Sequence, residues 1–145
     1  MANLDQAILF TSDRFDFASD LPEEDNAGNR LYGRDLAAWL CERLNARGLD
    51  AGFFDEDWGW QIGGSVAPGT TYWIGVYCLR DESRPGTTQA PDWGLRLRAS
   101  KREKWFWRLE KTVKVAVPPA VETAVLEAIE AIGASPRAWE DGPAG

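Results

Sequence analysis

Histidine is absent from the 145 residues, and this excludes more chemistry than any other feature of the composition. Ser-His-Asp and Cys-His catalysis, histidine ligation of metals and the near-neutral proton switch all need an imidazole. Any catalysis has to run on carboxylates, Lys, Tyr, Cys or backbone groups. Cysteine is scarce, with only Cys41 and Cys78 in the chain. They fall on an expected helix face and an expected strand, where free cysteine behaves as a small buried hydrophobe. Nothing else has a secreted character, so a disulfide is not expected. No apolar run approaches the roughly 20 residues of a membrane-spanning helix. Residues Met1 to Asp5 lack the basic start and apolar stretch of a signal peptide, which sets a cytoplasmic expectation. Internal repeats, a linker long enough to divide the chain and calcium-loop spacing of carboxylates are also missing. Gly63, Gly64 and Ser65 lack both the Gly-Lys-Ser/Thr of a phosphate loop and the trailing glycine of a nucleophile turn.

What remains has globular proportions, 44% hydrophobic and 27% charged. A chain of this length buries roughly two-thirds of its extended surface on folding. Residues 1–145 therefore read as one domain that needs no covalent staples. The charge is lopsided. Thirteen acids face five bases from residue 1 to 60, whereas eight bases face two acids from Arg96 to Lys114, in a chain of net charge −7. Such asymmetry steers partners or lets one part of a fold complement another.

Ala7 to Phe10 reads as a first strand, continued loosely through Phe15 and Phe17. Asp20 to Asn29 is polar and rich in breakers, the composition of an exposed loop. From Arg34 to Arg47, Leu36, Ala37, Leu40, Cys41 and Leu44 recur at three- and four-residue spacing, which predicts an amphipathic helix stopped by Gly48. An acidic turn, Asp55-Glu56-Asp57, then runs into a strand in which Trp58, Trp60, Ile62, Gly64 and Val66 alternate. Pro68-Gly69-Thr70 joins it as a hairpin to a strand over Thr71 to Leu79. Arg80 to Asp92 reads as a second exposed loop. Trp93, Leu95, Leu97 and Ala99 alternate with Gly94, Arg96, Arg98 and Ser100, as in a strand with one dry and one wet face. Lys101 to Val117 fits neither period until Val113, Val115 and Val117 mark a short strand. Pro118 and Pro119 open a second amphipathic helix with Val121, Val125, Ala128, Ile129 and Ile132 on one face. The tail, Ala134 to Gly145, is expected to be partly ordered where Trp139 docks. This order of elements predicts an α+β fold, two main helices packed on an antiparallel or mixed sheet of about four to six strands.

Three groups of residues are candidates for function. Neighbouring carboxylates in a strand point to opposite faces, so the acidic turn is not expected to converge on a metal. A small-molecule pocket or weak hydrolase could instead set Glu56 or Asp57 against Tyr72, Trp73 or Arg80 on the next strand. Trp58 and Trp60 project from one face about 7 Å apart, as core packing or as a platform. Finally, Arg96, Arg98, Lys101, Arg102, Lys104 and Arg108 interleave with Trp105, Phe106 and Trp107, a combination that suits phosphates and stacked single-stranded bases. A sequence pI near 4.6 weighs against nucleic acid.

Tyr32-Gly33-Arg34-Asp35-Leu36-Ala37-Ala38-Trp39-Leu40, followed by Glu56-Asp57-Trp58-Gly59-Trp60, resembles a pattern in a family of uncharacterised bacterial proteins: a Gly-Arg-Asp-Leu helix, then a Glu-Asp-Trp-Gly-Trp strand. The resemblance implies a bacterial, cytoplasmic setting, and it brings neither an activity nor catalytic residues. Small size, acidity, absent histidine and eight tryptophans rank a non-enzymatic protein-interaction domain first, an antitoxin-like inhibitor or accessory protein whose partner is another protein. The small-molecule reading stands second and single-stranded nucleic acid third. No membrane partner, cofactor, metal or catalytic residue is expected.

Overall fold

A computed structural model describes residues 6–15, 33–56, 59–67, 69–79, 90–106 and 109–140. The expected loop at 20–29, residues 80–89 of the second loop and residues 141–145 of the tail lie outside them. So do Phe17, Asp57, Trp58, Arg80 and Trp107, together with the side chain of Trp105. In chain order the elements are β1 (Gln6–Thr11), α1 (Arg34–Asn45), β2 (Ala51–Glu56), β3 (Gly59–Ala67), β4 (Thr70–Cys78), β5 (Asp92–Trp105), β6 (Leu109–Val115), α2 (Pro119–Ala131) and β7 (Arg137–Ala138).

The strands form one sheet in the order β2-β3-β4-β5-β1-β7, with β6 also pairing β5. Every pairing is antiparallel. β5 is the organising strand. On one side β4 pairs it from Trp93 to Lys101. On its other side β1 takes Asp92 to Leu97 and β6 takes Ala99 to Trp105. The sheet therefore forks along β5, and the β5–β6 ribbon continues past the end of β4.

The α+β class holds, but the sheet is larger than the expected four to six strands: seven are present among the described residues. Two physical reasons account for this. Asp55 and Glu56 belong to β2, paired with Trp60 and Gly59, so the expected acidic turn is largely an edge strand. An edge strand with an open outer face tolerates carboxylates, which mimic a loop in the sequence. The ambiguous stretch after Lys101 is the far half of β5, a tip at Phe106 and the return strand β6. Its residues are wet on both faces, so no period of two is imposed on them.

Alternation gives the sheet an inner and an outer face. Ile8 and Phe10 of β1, Trp60 and Ile62 of β3, Tyr72, Ile74 and Val76 of β4, and Trp93, Leu95, Leu97 and Ala99 of β5 point inward and are buried. They meet Leu36, Leu40 and Leu44 of α1 and Val121, Val125 and Ile129 of α2 in one core. Each fully buried side chain of this kind contributes about 1.5–3 kcal/mol relative to exposure. Glu122 of α2 accepts a 3.2 Å hydrogen bond from Gln6 Nε2 on β1, while α1 lies toward β2 and β3. The Asn45 side chain at the end of α1 donates to the Ala51 carbonyl at 2.9 Å and accepts from the Ala51 N–H at 2.6 Å.

Burial also sets the behaviour of the fold in alkali. The Cys41 thiol is pushed up from 9.0 to about 11 by burial, and burial together with the nearby Cys41 and Asp50 raises the Tyr72 phenol. A raised folded-state value means that stability is complete below the unfolded value and is lost as pH climbs toward the folded one. The unfolding free energy from urea titration should fall between pH 9 and pH 11, by about 1.4 kcal/mol per pH unit for one such group. Cys41→Ala should remove the first part of that fall. A flat profile over this range would show that neither group resists ionisation.

Candidate functional site

Two helices cover the inner face, which leaves the outer face of the sheet as the surface on which the candidate residues gather. The register places them. Trp73 on β4 stands opposite Gly63 on β3 and Arg98 on β5, and in the next row Gly75 stands between Gln61 and Arg96. Ser100 lies between Thr71 and Lys114 of β6 in the row beyond. An open depression of about 450 Å³ lies here, lined by Trp73, Arg96, Arg98, Ala99 and Lys114, and the edge of the Trp73 indole leans over Gly63.

Contacts within the depression are specific. The Arg98 guanidinium sits 6.0 Å from the centroid of the Trp73 ring, within reach of a cation–π attraction. Its Nη2 makes a long hydrogen bond of 3.5 Å to Gln61 Oε1. Gln61 is the buried polar residue of this face. One row the other way, Tyr77 meets Trp139 edge-on with ring centroids 5.4 Å apart. Trp139 lies so close over Gly94 that an added Cβ would stand 2.5 Å from the indole, which is why only glycine fits there. Burial holds the Tyr77 phenol above its ordinary value, and the opposing pull of Arg96 and Arg98 only partly offsets it. Tyr77 is therefore a neutral aromatic wall.

Charge is segregated by layer. Among the described residues, strand parity gives the outer face six bases, Arg96, Arg98, Arg102, Lys104, Lys114 and Arg137, against three acids, Glu56, Asp92 and Glu110. The two helices carry two bases and five acids. Some of the outer charges pair locally, as in the 3.0 Å bridge from Arg137 to Asp92. Among the described residues, the outer face of the sheet is thus the basic one.

The expected site residues fall into three sets. Trp73, Arg96 and Arg98 come together, although they belonged to two separate readings of the sequence. Trp60 and Tyr72 point into the core, and Tyr72 Oη donates to the Leu49 carbonyl at 2.8 Å. Glu56 lies on the outer face of β2, so it and Tyr72 are on opposite sides of the sheet. Glu56 is also two strands and four residues from the position facing Trp73, a separation of about 16 Å from sheet spacings. A pocket joining Glu56 to Tyr72 or Trp73 does not form. Asp57, Trp58, Arg80 and Trp107 lie outside the described residues, and Trp105 is described only as the last residue of β5.

Lys114 lines the depression and Gln61 touches it through Arg98 without having been singled out. Lys114 had a usable signal, since it alternates with Val113 and Val115 and so takes the wet side of its strand. Among the described residues, no group of three or more Cys, Asp or Glu is gathered closely enough to hold a metal ion. No described helix is long and apolar enough to cross a membrane. The groups that do converge are guanidinium, ammonium, amide and aromatic rings, which hold anions and stack on flat groups. Comparison with protein-family models, with curated proteins and with solved structures returned no match.

Proposed function

We propose that the chain is a non-enzymatic binding module whose outer sheet face holds nucleotide units, with a flat base against Trp73 and a phosphate among Arg96, Arg98 and Lys114. The observation that supports this is the register pairing Trp73 with Arg98, which puts an aromatic face already engaged by one flat group beside a cluster of cations. Nucleotides join a ring to an anion at that scale, and aromatic and arginine side chains read both parts. The acidic pI describes the whole chain, whereas the described outer face carries more bases than acids. The acids on the helices repel a polyanion from the wrong side and orient it toward the sheet.

NMR titration tests the reading. AMP should shift the Trp73 indole N–H, inorganic phosphate alone should leave that signal in place, and Trp73→Ala should weaken AMP by about 1–3 kcal/mol, the usual worth of one stacked base. Absence of any AMP-dependent shift would overturn the proposal. The second reading, an acidic protein partner, is favoured by the arginine and aromatic composition of this face, which is that of interaction hot spots. A glutamate-rich peptide that moves the same signals while AMP does not would select it.

A further inference from the structure

We infer that the β5–β6 ribbon is a second subsite that tracks the sugar-phosphate backbone of a single strand, so that the ligand is a polymer rather than a free nucleotide. The inference rests on the reading of the outer face given above. β4 pairs β5 as far as Thr70–Lys101, and the Arg102 N–H still donates to the Gly69 carbonyl of the β3–β4 turn at 2.8 Å; from Glu103 opposite Lys111 to Trp105 opposite Leu109, β5 is paired by β6 alone. Those last three residues of β5 carry the ribbon about 10 Å beyond the sheet. Residues 101–104 and 109–112 are all exposed, so no core claims either face.

Parity continues without a break along β5, and Arg102 and Lys104 fall on the same face as Arg96 and Arg98. Alternate residues are spaced by about 6.6 Å, so Arg96 to Lys104 is a row about 26 Å long that begins in the Trp73 depression and ends on the ribbon. A single nucleotide fills only the first part of that row. An extended strand, with a charge on every phosphate, fits all of it. Within the ribbon Glu110 bridges Arg102 at 3.8 Å, with both side chains more than half exposed. An ion pair in that setting is weak, and a phosphate can take its place.

The test compares AMP with short and longer oligothymidylates on the full chain at low salt. The longer oligonucleotide should bind most tightly. Arg102→Glu with Lys104→Glu should abolish its advantage, lower the slope of log affinity against log salt by about 1.4, at about 0.7 per phosphate on a single strand, and leave the AMP shift at Trp73 unchanged. Glu110→Gln should act in the opposite sense and strengthen the oligonucleotide alone, an outcome that a damaged fold cannot imitate. If the ribbon reversal leaves oligonucleotide affinity untouched, or if oligonucleotides bind no better than AMP, the ribbon is not a subsite and the Trp73 reading stands. If neither AMP nor oligonucleotide binds, the outer-face reading fails first.

Discussion

Trp93→Ala is expected to destabilise the fold by about 3–5 kcal/mol, the range for deleting a large aromatic from a close-packed interior. The side chain is 0% exposed at the start of β5. Its ring meets Phe15 edge-on at 6.0 Å, it lies beneath Gly33 at the start of α1, and its indole N–H donates to the Ser12 carbonyl at 3.0 Å. Two parts of the chain far from Trp93 in sequence, residues 12–15 and the start of α1, lose a common partner at once. Against a total stability of about 5–15 kcal/mol, that is a large share. Urea unfolding should show a lower midpoint with an unchanged slope. A loss below about 1 kcal/mol would mean that Phe15 and the first turn of α1 collapse into the space.

Gly64→Ala is expected to cost at least about 2 kcal/mol, by overpacking and by breaking a buried hydrogen bond. A Cβ on Gly64 would stand 2.5 Å from Tyr72 Oη and 2.7 Å from the Asp50 carbonyl. Neither can yield cheaply. Tyr72 is fully buried and bound to the Leu49 carbonyl at 2.8 Å, and the Asp50 atom belongs to the backbone leading into β2. Gly52 on the neighbouring strand supplies the control, because a Cβ there meets nothing within 4 Å. Tyr72→Phe in the Gly64→Ala background removes the hydroxyl but leaves Cζ, which the added Cβ would meet at 2.6 Å, so the two losses should overlap only in the hydrogen bond that both break. A double-mutant cycle that is strictly additive would refute the clash as the cause.

Legibility in the sequence followed how strongly burial constrained each segment. The helices and the near half of β5 were readable because one face of each is dry, so Leu36, Leu40 and Leu44, or Trp93, Leu95 and Leu97, had to recur at the element's own period. The far half of β5 and all of β6 as far as Thr112 escaped because water on both sides imposes no alternation. β2 was read as a turn because its carboxylates face solvent at a sheet edge. The site was half legible for a different reason. Trp73, Arg96 and Arg98 each had the right chemistry, but they are brought together by strand register, and register depends on pairings between segments that no local pattern specifies.

The Asn45 side chain has a consequence for how copies of the molecule meet. β2 is the outermost strand on its side of the sheet, and an edge strand offers its N–H and C=O groups to any chain that can extend the sheet. At Ala51 both groups are already taken by one amide, which occupies the place of a neighbouring strand. At the other end Asp55 and Glu56 bring negative charge to the edge, and an incoming copy would bring the same charges. The apolar pair between them, Phe53 and Phe54, is thereby flanked by a plug and by repulsion. Extension of the sheet through this edge is thus opposed by hydrogen bonding at one end and by like charge at the other.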